Sequence, residues 1–107
     1  MSQTKKNIYL ARQEGTSLYK IGITKNDPKL RILQLQTGNA APVELVESFQ
    51  TSHNFKMETA LHAQFSLKRR EGEWFELSQE EVDTFFDICS RKEEMMDFLK
   101  NNNHFWT

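Results

Sequence analysis

At 107 residues, 37% hydrophobic and with a net charge of −1, the chain holds enough apolar material for one core and not for several. A single cysteine, Cys89, excludes an intrachain disulfide, and three histidines are too few for a structural zinc site to be expected. No apolar run reaches membrane-spanning length and residues 1–7 lack the apolar stretch of a secretory signal, so a soluble, cytoplasmic protein is expected.

Two strand segments come first. Ile8-Tyr9-Leu10 and Tyr19-Lys20-Ile21-Gly22-Ile23 are rich in β-branched and aromatic residues, and Gln13-Glu14-Gly15-Thr16 between them reads as the turn of a hairpin. Neighbouring strand residues point to opposite faces, so Tyr19 and Lys20 cannot share one cleft and one of them is structural. Asp27-Pro28 then offers an N-cap followed by a proline in the first turn, and Gly38 stands where a helix would stop, which places Arg31 on a helix of about three turns.

Beyond Pro42, residues 43–50 alternate well enough for a third strand, with Val43, Leu45, Glu47 and Phe49 on one face. A second helix is predicted from near Asn54 to near Lys68. Met57, Leu61 and Phe65 form its core stripe, and Glu58 and His62, four residues apart, share the stripe beside it. Gly72-Glu73-Trp74-Phe75 leads into a short closing strand whose aromatics read as core anchors. Ser78-Gln79-Glu80-Glu81 is a capping box that opens a final helix with an apolar stripe of Val82, Phe85, Phe86, Cys89, Met96 and Leu99, and Ser90 to Lys92 is a candidate interruption. Phe105 and Trp106 are costly to leave in water and are expected to dock on the body.

Charge is unevenly spread. Residues 1–70 hold 11 Lys/Arg against 5 Asp/Glu, a balance of +6, whereas residues 71–107 hold 3 against 10, a balance of −7. A basic half suits a polyanionic ligand such as a nucleic-acid backbone, although two ordinary solvated faces would read the same way. Taken singly, the polar residues have plain structural readings too: a half-buried strand tyrosine, a solvated helical arginine, a helical glutamate paired with a histidine one turn on.

Taken in order, Y-K-I-G, a helical arginine, E-x-x-x-H and G-E-W-F resemble the GIY-YIG nuclease superfamily, most closely its branch of short phage and bacterial domains, over roughly residues 7 to 77. The resemblance implies an α/β (α+β) fold: a small antiparallel sheet of three or four strands flanked by helices, with residues 1–77 as the catalytic unit and 78–107 as an acidic helical extension packed on it. It implies a metal-dependent DNA endonuclease or nickase. Tyr9 takes the place of the base or base assistant, with Tyr19 and Lys20 near the usual second tyrosine. Arg31 takes that of the phosphate-gripping arginine, and Glu58 that of the sole ligand to Mg²⁺ or Mn²⁺. Lys20, Lys25 and Arg31 are the expected nucleic-acid contacts, and His62 is a catalytic candidate that could orient Glu58, shuttle a proton or contact the substrate.

The pattern also departs from the superfamily. Lys20 stands where most members carry their second tyrosine, Leu35 where many carry a histidine or tyrosine, and no asparagine lies between Glu58 and Trp74. A catalytically silent version that binds nucleic acid or a protein partner is therefore the alternative, and a helix-mediated interaction protein built on residues 78–107 a third. The apolar final helix leaves room for a homodimer or a targeting partner.

Overall fold

The computed structural model describes residues 5–38 and 41–102. The first two strands, β1 (Lys6–Gln13) and β2 (Leu18–Thr24), form the expected hairpin, in register from Asn7↔Thr24 to Arg12↔Tyr19. Helix α1 (Pro28–Thr37) starts where the sequence says it should: the Asp27 carboxylate accepts the Lys29 N–H at 2.9 Å, and Pro28 fills the first turn where no amide donor is needed. Strand β3 (Val43–Thr51) returns along the other edge of β1, and α2 (Asn54–Gln64) follows.

The helix expected to reach Lys68 is shorter. It ends at Gln64 and gives way to a 3₁₀ turn, Ser66–Lys68, because Phe65 turns inward to the core and carries the chain toward the sheet. Two short strands follow, β4 (Arg69–Glu71) and β5 (Trp74–Glu76), joined through Gly72, whose φ of 56° lies in the left-handed region that favours glycine. The sheet thus has five strands, all antiparallel, in the order β3-β1-β2-β5-β4, one more than the upper expectation. Strand β4 was not legible in the sequence because all three of its residues are exposed and carry no apolar alternation.

Each face of the sheet covers its own core. Ile8, Leu10, Ile21 and Phe75 meet Met57, Leu61 and Phe65 of α2 and the C-terminal helices; on the opposite face Tyr9, Ala11 and Val43 meet Ile32 of α1. Strand β3 contributes to both cores. Leu10 pairs with Glu47 and Ala11 with Leu45, which leaves Val46 as an extra residue. That bulge reverses the alternation, so Phe49 packs with Ile8 and Leu10 while Val43 and Leu45 pack with Tyr9, and the single face expected for Val43 to Phe49 is corrected to two.

The capping box forms. Ser78 Oγ accepts the Glu81 N–H, the Glu81 carboxylate accepts the Ser78 N–H, and α3 (Gln79–Asp83) runs from it. Its break comes at Thr84, before α4 (Phe85–Asn102), which runs unbroken through Ser90 to Lys92 and so corrects the interruption expected there. Phe85 and Cys89 are fully buried in the same cluster as Phe75, and burying a phenylalanine is worth about 1.5–3 kcal/mol. Burial pushes the Cys89 thiol up to about 12, which makes it a packing group with no nucleophilic use. The expected docking of Phe105 and Trp106 lies outside the described residues. No helix among the described residues is long and apolar enough to cross a membrane.

A polar clamp fixes α4 to the sheet. One Glu93 oxygen accepts the Thr51 hydroxyl at 2.6 Å, the other accepts the Ser52 N–H and hydroxyl at 3.2 Å, and His53 Nε2 lies 2.7 Å from Asp97 Oδ1. Thr51 is fully buried, so Glu93→Ala would leave its hydroxyl without an acceptor. The expected loss is about 1–3 kcal/mol, seen as a lower urea midpoint at unchanged slope.

Candidate active site

Strand β5 pairs with β2 only along Leu18, Tyr19 and Lys20. The Ile21 N–H still donates to the Glu73 carbonyl at 3.2 Å, but the Ile21 carbonyl, which points to the same side of the strand, has no β5 partner left. His62 of α2 takes it, with Nε2 2.9 Å from the Ile21 oxygen. Here, at the open edge of β2, side chains of α2 reach those of the opposite sheet face.

Five segments converge there. Tyr9 of β1 and Lys20 of β2 lie on one face, as their cross-strand partners Gly22 and Ala11 require; Tyr19 lies on the other. The Arg31 guanidinium of α1 stands near enough to the Tyr9 phenol to favour its ionised form, and its Nη1 donates to Gln34 Oε1 at 3.1 Å. From α2 come Glu58 and His62, and from the β4–β5 turn Glu73, with ligand atoms of all three within 4.8 Å of one another. Lys20 Nζ sits 3.2 Å from Glu73 Oε1 and 5.7 Å from the Trp74 ring centroid.

The choice between Tyr19 and Lys20 is thereby settled in placement. Tyr19 is 6% exposed and packed among Ile8, Ile21 and Phe75, away from the cleft that Lys20 faces, so the structure does not bring it to the other candidate residues. Lys25 stands exposed in the turn after β2, outside the cluster. Leu35, at the position where the superfamily often has a polar group, packs beside Tyr9 and Ile32.

Electrostatics follow from this crowding. Burial raises the Glu58 carboxyl above the ordinary range and the neighbouring Glu73 charge raises it further, against smaller opposing effects from His62, Lys20 and Lys6. Burial also raises the Tyr9 phenol; the Arg31 hydrogen bond and charge pull it down, Glu73 and Glu58 push it up, and the net direction is up. Tyr9 is therefore a phenol at neutral pH, a hydrogen-bonding group before it is a base.

Among the described residues Glu58 forms no ion pair of its own. Two carboxylates held in mutual repulsion, one of them uncompensated, are what a hard divalent cation with oxygen preference would relieve, so the donor set fits Mg²⁺ or Mn²⁺. His62 is less free. Its Nε2 faces a carbonyl and its Nδ1 lies 3.3 Å from the Arg69 guanidinium, and only the Nε2–H tautomer satisfies both. It braces the strand edge beside Glu58. Sequence reasoning left out Arg69 and saw in Glu73 only a carboxylate that could be held at a cleft edge beside Trp74 and Phe75; nothing local says that the turn folds back over α2.

Gly22 closes the arrangement. It lies opposite Tyr9, and a Cβ at Gly22 would overlap the Tyr9 hydroxyl and ring carbons, with Tyr9 buried and unable to swing away. Gly22→Ala should cost about 1–3 kcal/mol through overpacking and displace the hydroxyl from Arg31. A thermal melt against the unmutated protein would register the loss.

No curated protein and no solved structure shows a match to the chain. The model of the T5orf172 domain matches residues 6–90, from the first residue of β1 into α4 and across every residue of the cluster. The match spans most of the chain, and this protein belongs to the T5orf172 domain family, a GIY-YIG-like group.

Proposed function

We propose that the protein is a metal-dependent DNA endonuclease or nickase of the GIY-YIG type, with its site at the open edge of β2. The observation that carries the reading is the convergence of Tyr9, Lys20, Arg31, Glu58 and Glu73, from separate segments, on one cleft. The nuclease-like character of the family supports it.

In this reading the Arg31 fork grips the two non-bridging oxygens of the scissile phosphate, and Lys20, swinging from Glu73 as the phosphate arrives, neutralises the charge that builds on the bridging oxygen as it leaves. Glu58 and Glu73 would hold Mg²⁺ or Mn²⁺, and the bound ion would supply positive charge for the phosphoryl oxygens and favour ionisation of water. Tyr9 Oη, held as a phenol, accepts a hydrogen bond from the attacking water and aligns it, and the proton that the water loses passes to bulk solvent. His62 keeps Glu58 and the strand edge in place.

A second reading has its own support. Lys20 is already paired with Glu73, and Tyr9 is held as a phenol, as in a module that binds nucleic acid without cutting it. Supercoiled plasmid incubated with Mg²⁺ or Mn²⁺, with and without EDTA, separates the two. Nicked circles that form with metal and vanish with EDTA are expected; retained plasmid under both conditions, with binding intact, would establish the silent module.

A further inference from the structure

Phe55 is an aromatic side chain that folding leaves in water. It opens α2 directly after Asn54, whose φ of 20° makes it the one non-glycine residue with positive φ among those described, and it is 65% exposed. Exposed leucines occur elsewhere, but Phe55 carries a cation: Lys6 Nζ of β1 stands 4.7 Å from its ring centroid. Lys5 and Lys56 flank the pair in the chain.

Its position relative to the cleft matters more. Phe55 precedes Glu58 by three residues on α2, so the two share a helix face with Cβ atoms about 5–6 Å apart. The Lys6 charge lowers the Glu58 carboxyl, which puts the aromatic–lysine pair within electrostatic reach of the candidate metal ligand. Phosphates of one DNA strand recur about every 3.4 Å along the axis, so a strand whose scissile phosphate reaches the Glu58 side of the site brings a neighbouring nucleotide to Phe55, about one turn away on α2.

We infer that Phe55 and Lys6 form a stacking platform for one unpaired DNA base next to the cleaved phosphate, so that DNA with a gap, flap or bubble at the cut is preferred over intact duplex. The inference rests on the nuclease reading above. An intact duplex offers the ring no base face, because each base is covered by its neighbours, whereas an unpaired base stacks on an aromatic side chain and leaves its phosphate to a lysine. An acidic protein segment is a poorer fit, since it matches the lysines and leaves the ring in water.

The test uses the full chain carrying Glu58→Gln, in EDTA, so that binding is read without cleavage. Its partners are a duplex with 2-aminopurine in a short gap and the same duplex fully paired. The protein should quench the 2-aminopurine and bind the gapped DNA about tenfold more tightly than the paired DNA. Phe55→Ala, checked for fold by circular dichroism, should erase that preference while affinity for paired duplex stays within about twofold; Phe55→Trp should keep it, and Lys6→Gln should weaken it. Equal affinity for the two DNAs, a preference that survives Phe55→Ala, or complete displacement by polyglutamate would overturn the platform. Plasmid nicking by the unmutated chain reports separately on catalysis. Nicking without a gap preference refutes the platform alone, and a gap preference without nicking refutes the nuclease while the platform stands as a binding site.

Discussion

Glu58→Gln is expected to lower metal-dependent plasmid nicking by about 10³-fold or more, because the uncompensated carboxylate that would hold the cation is gone while side-chain size and helix propensity are nearly kept. The same substitution should raise thermal stability at neutral pH. Folding raises the Glu58 carboxyl through burial and the nearby Glu73 charge, so its ionised form costs stability. The sign follows by linkage: the folded state holds the proton more tightly, so stability is lost as pH rises from the unfolded value of 4.5 through the raised folded one. Glutamine carries no such cost. The variant should melt above the unmutated protein at pH 7, and the two should converge below about pH 4. Adding Mn²⁺ should raise the melting temperature of the unmutated chain only. A variant that folds and nicks at the original rate would remove Glu58 from the metal site; equal stability across pH would show that the crowding with Glu73 has no energetic consequence.

Tyr9→Phe is expected to lower the cleavage rate by about 10²–10⁴-fold with DNA affinity nearly unchanged. Only the hydroxyl is lost. The ring still fills the space opposite Gly22 and still packs with Ala11, Val43 and Ile32, so the core is kept and the change is confined to the phenol oxygen, which lies within the influence of the Arg31 charge. Single-turnover rates and dissociation constants measured on the same oligonucleotide separate the two quantities. An affinity loss as large as the rate loss would make Tyr9 a binding residue and place the base elsewhere.

Much of the fold was legible because local chemistry determined it. The hairpin announced itself by alternation and a polar turn, α1 by Asp27-Pro28 and Gly38, and α3 by the reciprocal cap of Ser78 and Glu81; each is decided by residues within a few positions of one another. Tyr9, Arg31 and Glu58 were readable as candidates because their order along the chain is itself a pattern, and order survives without coordinates. Strand phase also told in advance that Tyr19 and Lys20 must part.

Which of the two would face the cleft could not be read, since alternation gives opposition and not direction; that depended on Lys20 pairing with Ala11 and Trp74 while Tyr19 met Arg12 and Phe75. The same limit hid the Val46 bulge, which transfers Phe49 from one core to the other by a single unpaired residue, and the break at Thr84, where α4 starts afresh. It also hid which groups Glu73 would meet. A carboxylate in a turn becomes part of a site only because β5 begins no earlier than Trp74, leaving the β2 edge open for α2 to approach, and where it begins is a matter of strand pairing across the molecule. The sequence by itself determined which elements form and which side chains have suitable chemistry, because caps, turns and periodicity act over a few residues. The tertiary structure decided which of them meet, because sheet register and the crowding of buried charges depend on residues far apart in the chain.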